Sequence, residues 1–270
     1  MADNKITFGG IDSSDYGIYI GGEGVFNAPD RVVEMIDIPG RNGSLLMDEG
    51  RFANIEVTYP AFNYETTLSG FTASLRAFRN ALCSKSGYQR LTDSIHSDEF
   101  RLATYRAGLD VSPIMYNTAS KFNIVFDCKP QRYLLSGTEE VTFTASGSIT
   151  NPTLFASNPV LIVTGNGTVQ IGDYIVSIWG NSGDLWIDSE LFEYFIPGSI
   201  PEPLTDEFLD HITDELGFKI EVVNGSIEPR PSGATVSFAN HVYPKIEPGA
   251  QPVYITGITK LKIIPRWWVI

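Results

Sequence analysis

The chain has 270 residues, 43% of them apolar and 19% charged, which is enough to bury the core of one large β domain or of two ordinary ones. Its formal charge of −13 comes without any Lys/Arg run, which argues against a protein that grips nucleic-acid phosphates. No stretch approaches the roughly 20 consecutive apolar residues of a membrane-crossing helix.

The charge is uneven. Residues 1–135 hold 13 Lys and Arg against 16 Asp and Glu, and residues 136–270 hold 6 against 16. The start, Met-Ala-Asp-Asn-Lys-Ile-Thr-Phe, lacks the basic and apolar regions of a secretion signal, so folding in the cytoplasm that makes the chain is expected. Cys83 in a predicted helix and Cys128 on a predicted strand are too few for a disulfide framework and are expected as two buried free thiols.

The first 65 residues read as strands at Lys5–Phe8, Tyr16–Ile20, Val32–Ile38 and Ile55–Pro60. Between the last two lies an elaborate turn. Pro39 stops the β-branched run, and Gly40 and Asn42-Gly43 tolerate positive φ. The second arm of this hairpin is expected to begin near Ala53, where Ile55, Val57 and Tyr59 alternate with polar residues; Asp48-Glu49 is read as a pair of turn charges.

An amphipathic helix follows, because Leu68, Phe71, Leu75, Phe78 and Leu82 recur at spacings of three and four. Thr66 or Thr67 caps its start and Gly87 lies past its end. Beyond it, Gln89–Leu91 and Phe100–Ala107 read as strands, and Lys121–Cys128 places Phe122, Ile124, Phe126 and Cys128 on one face. Residues 129–150 are turn-rich, with Glu139-Glu140 as turn charges, and the expected domains are 1–135, a linker at 136–150 and 151–270.

The second half reads as short strands at Val160–Thr164, Thr168–Ile171, Tyr174–Trp179, Asp184–Asp188, Lys219–Val223, Thr235–Phe238, Val253–Ile255 and Lys260–Ile264. Turns such as Gly165-Asn166-Gly167 separate them, the pattern of an antiparallel sandwich or jelly roll. Residues 201–216 carry six acids and no base and read as an inserted acidic helix. The fold class expected is mainly β: an N-terminal sandwich or barrel-like domain with one α-helix, and a C-terminal antiparallel sandwich.

Catalytic signatures are absent: there is no phosphate loop, nucleophile elbow or His-Glu-x-x-His. His96, His211 and His241 are isolated in sequence, so no metal site and no cofactor is expected. Asp188-Ser189-Glu190 with Glu193 offers the two carboxylates of a glycosidase, but acids ending a strand are ordinarily solvated. Trp179 and Trp186 are weak carbohydrate-contact candidates, Trp186 lying by alternation opposite Leu185 and Ile187. Adjacent Trp267 and Trp268 point to opposite faces, so one belongs to a core and the other needs a covering surface.

Four segments carry a resemblance. They are Ile38-Pro39-Gly40-Arg41-Asn42-Gly43-Ser44 with Asp48-Glu49-Gly50-Arg51-Phe52 after it, then Gly87-Tyr88-Gln89-Arg90-Leu91-Thr92-Asp93-Ser94, Asn151-Pro152-Thr153, and Ile264-Pro265-Arg266-Trp267-Trp268. Together, in this order and over nearly the full chain, they resemble the distal tail proteins of long-tailed, non-contractile bacteriophages. The resemblance implies a structural virion protein and no enzyme. Six copies would form a ring at the tail tip, with a channel for DNA lined by the N-terminal domains. The implied partners are a tail tube protein, the tail-tip hub or baseplate protein and, in some phages, a receptor-binding protein. The C-terminal domains would be galectin-like sandwiches that help host attachment. The positions matching the signature are Pro39, Gly40, Arg41, Asn42, Gly43, Arg90 to Ser94 with Asp93 among them, Asn151, Pro152, Pro265, Arg266 and Trp267; as turn formers and element ends they are expected to serve fold and assembly. Two other classes stay open: a host-surface carbohydrate-binding module, which a glycan array would test, and a glycan-cleaving enzyme.

Overall fold

The computed structural model describes residues 4–22, 25–114, 118–196 and 234–270. The acidic helix expected at 201–216, the strand at Lys219–Val223 and His211 lie outside the described residues. The chain is mainly β and forms two compact units that part between Arg132 and Tyr133.

The first unit contains β1 (Ile6–Phe8), β2 (Ile11–Asp12), β3 (Ile18–Ile20), β4 (Arg31–Ile36), β5 (Leu45–Phe52), β6 (Ile55–Tyr64), α1 (Leu68–Cys83), β7 (Gln89–Asp93), β8 (Glu99–Thr104), β9 (Val111–Ile114) and most of β10 (Ala119–Leu134). Its sheet runs β2-β1-β7-β8-β10-β6-β3, and β6 pairs antiparallel with β10 from Ile55↔Cys128 to Tyr64↔Ala119. The alternation along β10 decides its orientation. Phe122, Ile124, Phe126 and Cys128 enter the core beside Phe8, Val57 and Tyr59, while Lys121 and Asn123 face out. Burying a ring such as Phe126 contributes about 2–3 kcal/mol.

Helix α1 starts where Thr67 Oγ1 accepts the Gly70 amide at 3.1 Å. It buries Phe71, Phe78 and Leu82, and Phe78 and Leu82 join the core. Cys83, the next residue round the helix, is exposed, so only Cys128 matches the expected pair of buried thiols. A residue one step from Leu82 is turned about 100° from the apolar stripe, which carries Cys83 out of it.

The N-terminal hairpin differs from expectation. β4 pairs with β5, not with the strand at Ile55, in the register Val33↔Asp48, Glu34↔Met47, Met35↔Leu46 and Ile36↔Leu45. The Asp48-Glu49-Gly50-Arg51 stretch, expected as loop, is strand with a bulge: Asp48 stands opposite Val33 and Phe52 opposite Arg31, Gly50 takes φ 71°, and Asp48 pairs with Arg31 and accepts the Gly50 amide at 2.8 Å. Strand β6 belongs to the main sheet instead.

The second unit contains the end of β10, then β11 (Val141–Phe143), β12 (Gly147–Asn151), β13 (Val160–Ile171), β14 (Tyr174–Trp179), β15 (Asp184–Asp188), β16 (Glu193–Phe195), β17 (Thr235–Phe238), β18 (Gly249–Ile264) and β19 (Trp268–Val269). Residues 136–150 are no bare linker: a 3₁₀ turn spans Leu135–Thr138, and β11 and β12 both pair with β18.

Strand β13 is the spine of this sheet. Leu161 stands opposite Ile187 on one side and Ile263 on the other, and Val163 opposite Leu185 and Leu261, so three strands deliver one apolar layer. The turn expected at Gly165-Asn166-Gly167 is a bulge inside β13, and the two strands expected around Gly257 are the single β18. Asn181 stitches the bulge from the β14–β15 turn, its Nδ2 donating to Val163 O at 3.0 Å and Gly165 O at 3.2 Å.

Candidate functional site

The signature positions fall into two kinds, buried fasteners and an exposed tip. Arg266 is the strongest fastener. Its backbone takes φ 56°, a left-handed conformation rare outside glycine, and its Nη1 and Nη2 donate to Asp188 Oδ1 and Oδ2, each at 2.7 Å. Both side chains are nearly inaccessible to solvent. Asp188 Oδ1 also accepts the amides of Glu190 at 2.8 Å and Leu191 at 3.1 Å. Neighbouring Tyr133 has its hydroxyl pKa pushed up, first by burial and then by the negative charge of Glu190.

The chain around Arg266 is tied down on both sides. The Arg266 amide donates to Gly137 O and the Leu134 amide to Trp267 O, both at 2.8 Å. A Cβ on Gly137 would lie 2.3 Å from the Trp267 amide nitrogen, so no larger residue fits. Pro265 and Trp267 are buried, Trp267 within the core of this unit. Trp268 needs no outside cover: its indole N–H donates to Ala156 O at 2.9 Å and its ring stacks on Phe155 at 4.3 Å.

Asn151 uses its whole amide. Its Nδ2 donates to Phe155 O and Ile246 O at 2.9 Å, while its Oδ1 accepts the Thr153 amide at 2.9 Å and hydroxyl at 2.8 Å. Pro152 is exposed at the turn this knot creates.

In the first unit Asp93 has a similar task. It accepts the Tyr59 hydroxyl at 2.9 Å and the amides of Ile95 and His96 at 2.9 and 2.8 Å, with His96 Nδ1 at 3.2 Å. Burial and the Asp93 charge push the Tyr59 hydroxyl pKa well up. Arg90 lies over the Phe100 ring at 4.1 Å, and burial lowers its pKa. Sequence reasoning missed two buried cations nearby. Arg132 donates to Val25 O at 2.6 Å and pairs with Glu99 at 3.4 Å, whereas the terminal nitrogens of Arg101, 6% exposed, meet no acceptor among the described residues. Burial first, and Arg132 second, lower the Arg101 pKa. The inward even-numbered positions of β10 carry on to Arg132 and could have flagged it, whereas Arg101, set between Phe100 and Leu102, reads by alternation as outward.

The tip is the opposite case. Pro39, Gly40, Arg41, Asn42 and Gly43 are all exposed, Gly40 and Gly43 at φ 82° and 81°, and Ser44 Oγ donates to Asp37 Oδ1 at 2.6 Å across the loop base. Arg41 makes no ion pair among the described residues. Below the tip the hairpin exposes apolar side chains on both faces: Val33, Met35 and Leu46 on one, Ile36, Leu45 and Met47 on the other. Met35, Leu46 and Met47 are 61%, 56% and 50% exposed. Two-stranded hairpins are at best marginal alone in water, and an apolar hairpin with two open edges calls for a covering surface.

The remaining candidates are dispersed. Trp179 is 53% exposed on β14, opposite Thr235. Trp186 does face away from Leu185 and Ile187, but it packs on Val160, Ile162 and Ile264 and stacks on Phe195 at 6.1 Å. The Asp188 carboxylate is committed to Arg266, and Glu190 accepts Asn158 Nδ2 at 2.7 Å, so the two acids serve structure rather than facing a substrate. His96 pairs with Asp93, and His241 is exposed in the second unit; no group of three metal-ligating side chains occurs among the described residues.

No protein-family model matches the chain, and no curated protein matches it in sequence. Among solved structures it is similar to the Dit protein (gp 19.1) of phage SPP1, described as a paradigm of the hub adsorption apparatus in phages that infect Gram-positive bacteria, with 15% identity, 99% of each chain covered and a TM-score of 0.66. Weaker likeness extends to the phage P2 baseplate in its activated conformation with Ca, at 10% identity, 97% and 96% coverage and a TM-score of 0.48. From end to end, this chain has the fold of the SPP1 Dit protein.

Proposed function

We propose that the chain is a structural subunit of a phage tail tip, a distal tail protein that closes into a six-membered ring between the tail tube and the tail-tip hub. The observation that carries this reading is the β4–β5 hairpin: a strand pair with apolar residues on both faces and two open edges. A second copy of the chain covers it. One surface patch that seats on a different patch of the next subunit closes by rotation into a ring. The SPP1 likeness supports the reading at the level of fold.

The N-terminal unit forms the ring and the C-terminal unit projects for hub or receptor-binding partners. DNA passes through the channel without specific binding, since a wall without clustered Lys and Arg offers phosphates no counterion release. In the signature, Arg41 extends the contact across subunits, while Arg90, Asp93, Asn151, Pro265, Arg266 and Trp267 hold each unit in shape. Electron microscopy of the concentrated protein tests this through the presence and copy number of rings.

A second reading rests on Trp179, an exposed flat aromatic on a β-sheet that suits stacking on a sugar ring. Under it the C-terminal unit binds host-surface glycans, and a glycan array with the Trp179→Ala variant as control decides it.

A further inference from the structure

We infer that Asn42 is a site of spontaneous backbone modification, converting through a succinimide to aspartate and isoaspartate. The chain holds three Asn-Gly pairs, Asn42-Gly43, Asn166-Gly167 and Asn224-Gly225. The last lies outside the described residues, and the other two sit in opposite environments.

At Asn42 everything the chemistry needs is free. The residue and both neighbours are exposed in the hairpin loop. Among the described residues no hydrogen bond engages the Asn42 amide group or the Gly43 backbone nitrogen; the loop is held at its base by Ser44 on Asp37 and by the Arg41 amide on Ile38 O at 3.1 Å. The position where a Gly43 side chain would sit is empty out to 4 Å, so no other part of the chain packs on that side of Gly43, and glycine itself adds no side chain beside the attacking nitrogen.

At Asn166 both ends of the amide are occupied. Its Nδ2 donates to Asn181 O at 3.1 Å and its Oδ1 accepts the Asn181 amide at 2.7 Å. Gly167 is locked in β13, paired with Ile178, and its Cα faces Thr256 O so closely that a Cβ would lie 1.9 Å from that oxygen. Cyclisation there requires opening the bulge, which costs local unfolding free energy.

The reaction balances without a redox partner. A solvent base removes the Gly43 amide proton, and the nitrogen forms a bond to Asn42 Cγ. The Cγ–Nδ2 bond breaks as Nδ2 takes a proton back from the solvent acid, nitrogen leaves as ammonia, and a five-membered imide remains. Water then opens either imide carbonyl, giving aspartate or, with the chain rerouted through the side-chain carbon, isoaspartate. Residues 31–52 hold Arg31, Arg41 and Arg51 against Glu34, Asp37, Asp48 and Glu49, so either product adds a fifth acid to three bases. Isoaspartate also lengthens the backbone by one carbon between Pro39 and Ser44. Modified hairpins thus differ from fresh ones in charge and in loop length.

The test is to age the purified full-length chain at mildly alkaline pH, dilute enough that light scattering shows monomer and the tip is uncovered, and to follow both described pairs by peptide mapping and mass spectrometry, alongside a synthetic peptide of residues 36–46. The expected result is conversion of Asn42 at least roughly tenfold faster than of Asn166, at a rate near that of the free peptide, with isoaspartate present. In Asn42→Gln the mass gain of the tip peptide disappears. An Asn42 that stays intact while the peptide converts, an Asn166 that converts as fast, or a mass gain that persists in Asn42→Gln would each overturn the assignment.

Discussion

Arg266 and Asp188, 78 residues apart in sequence, meet through two parallel bonds of 2.7 Å, and both side chains are nearly inaccessible to solvent. The left-handed backbone at Arg266 is a local cost, of order 1–3 kcal/mol, that this pair offsets. Removing one partner strands the other as a buried charge. Asp188→Ala is expected to lower stability by about 3–5 kcal/mol, while the double change Asp188→Leu with Arg266→Met recovers most of it. Urea unfolding of the single and double variants checks this, and a double variant no better than Asp188→Ala would contradict it.

Asn151 gives a second, independent fastener. Asn151→Ala strands the Thr153 amide and removes one of two donors from Phe155 O, which keeps the Thr153 hydroxyl, and from Ile246 O, which keeps the Ser157 amide, so a loss of about 1–3 kcal/mol is expected. Asn151→Asp keeps the acceptor but turns a buried carboxylate oxygen toward two carbonyl oxygens, and should cost more than Asn151→Ala at neutral pH. Thermal melts of the two variants read the order.

Arg101 predicts a gain. A guanidinium that is 6% exposed and has both terminal nitrogens unmatched among the described residues carries a desolvation cost with little return. Arg101→Met keeps the length of the side chain and removes the charge, and should raise the melting temperature, by an amount worth about 1–3 kcal/mol. A lower melting temperature would mean that this charge is stabilised within the fold.

The two thiols should separate chemically. Cys128 is wholly buried, and desolvation pushes its pKa up to about 12. A raised pKa keeps the group neutral at every lower pH, so the thiolate required for alkylation is scarce as well as inaccessible. Cys83 is exposed at the end of α1. Iodoacetamide should therefore label one cysteine in the native chain and two after denaturation, with mass spectrometry placing the native adduct on Cys83.

What was legible in the sequence was local periodicity. The inward face of β10 and the stripe of α1 follow from spacing alone, and Tyr174–Trp179, Asp184–Asp188 and Thr235–Phe238 coincide with β14, β15 and β17. Glycine misled in both directions. Gly165 and Gly167 read as a turn but form a bulge, because neighbouring strands on both sides keep β13 in the sheet. Gly50 helped to disguise β5 as loop, since a strand exposed on both faces need not alternate. Arg266, Asp188 and Trp268 stood out singly, but the Arg266–Asp188 pair and the Phe155–Trp268 stack were invisible because they join residues 78 and 113 positions apart, and nothing local says which residue meets which.

The hairpin carries the assembly reading, and one measurement addresses it most directly. Negative-stain electron microscopy of the concentrated chain should show hollow rings of six copies, and a Leu46→Asp variant, which places a charge on the exposed apolar face without touching either core, should remain monomeric at the same concentration while keeping the melting temperature of the parent. Rings of clearly different copy number, such as three, or undisturbed six-membered rings from Leu46→Asp, would contradict the role assigned to the hairpin.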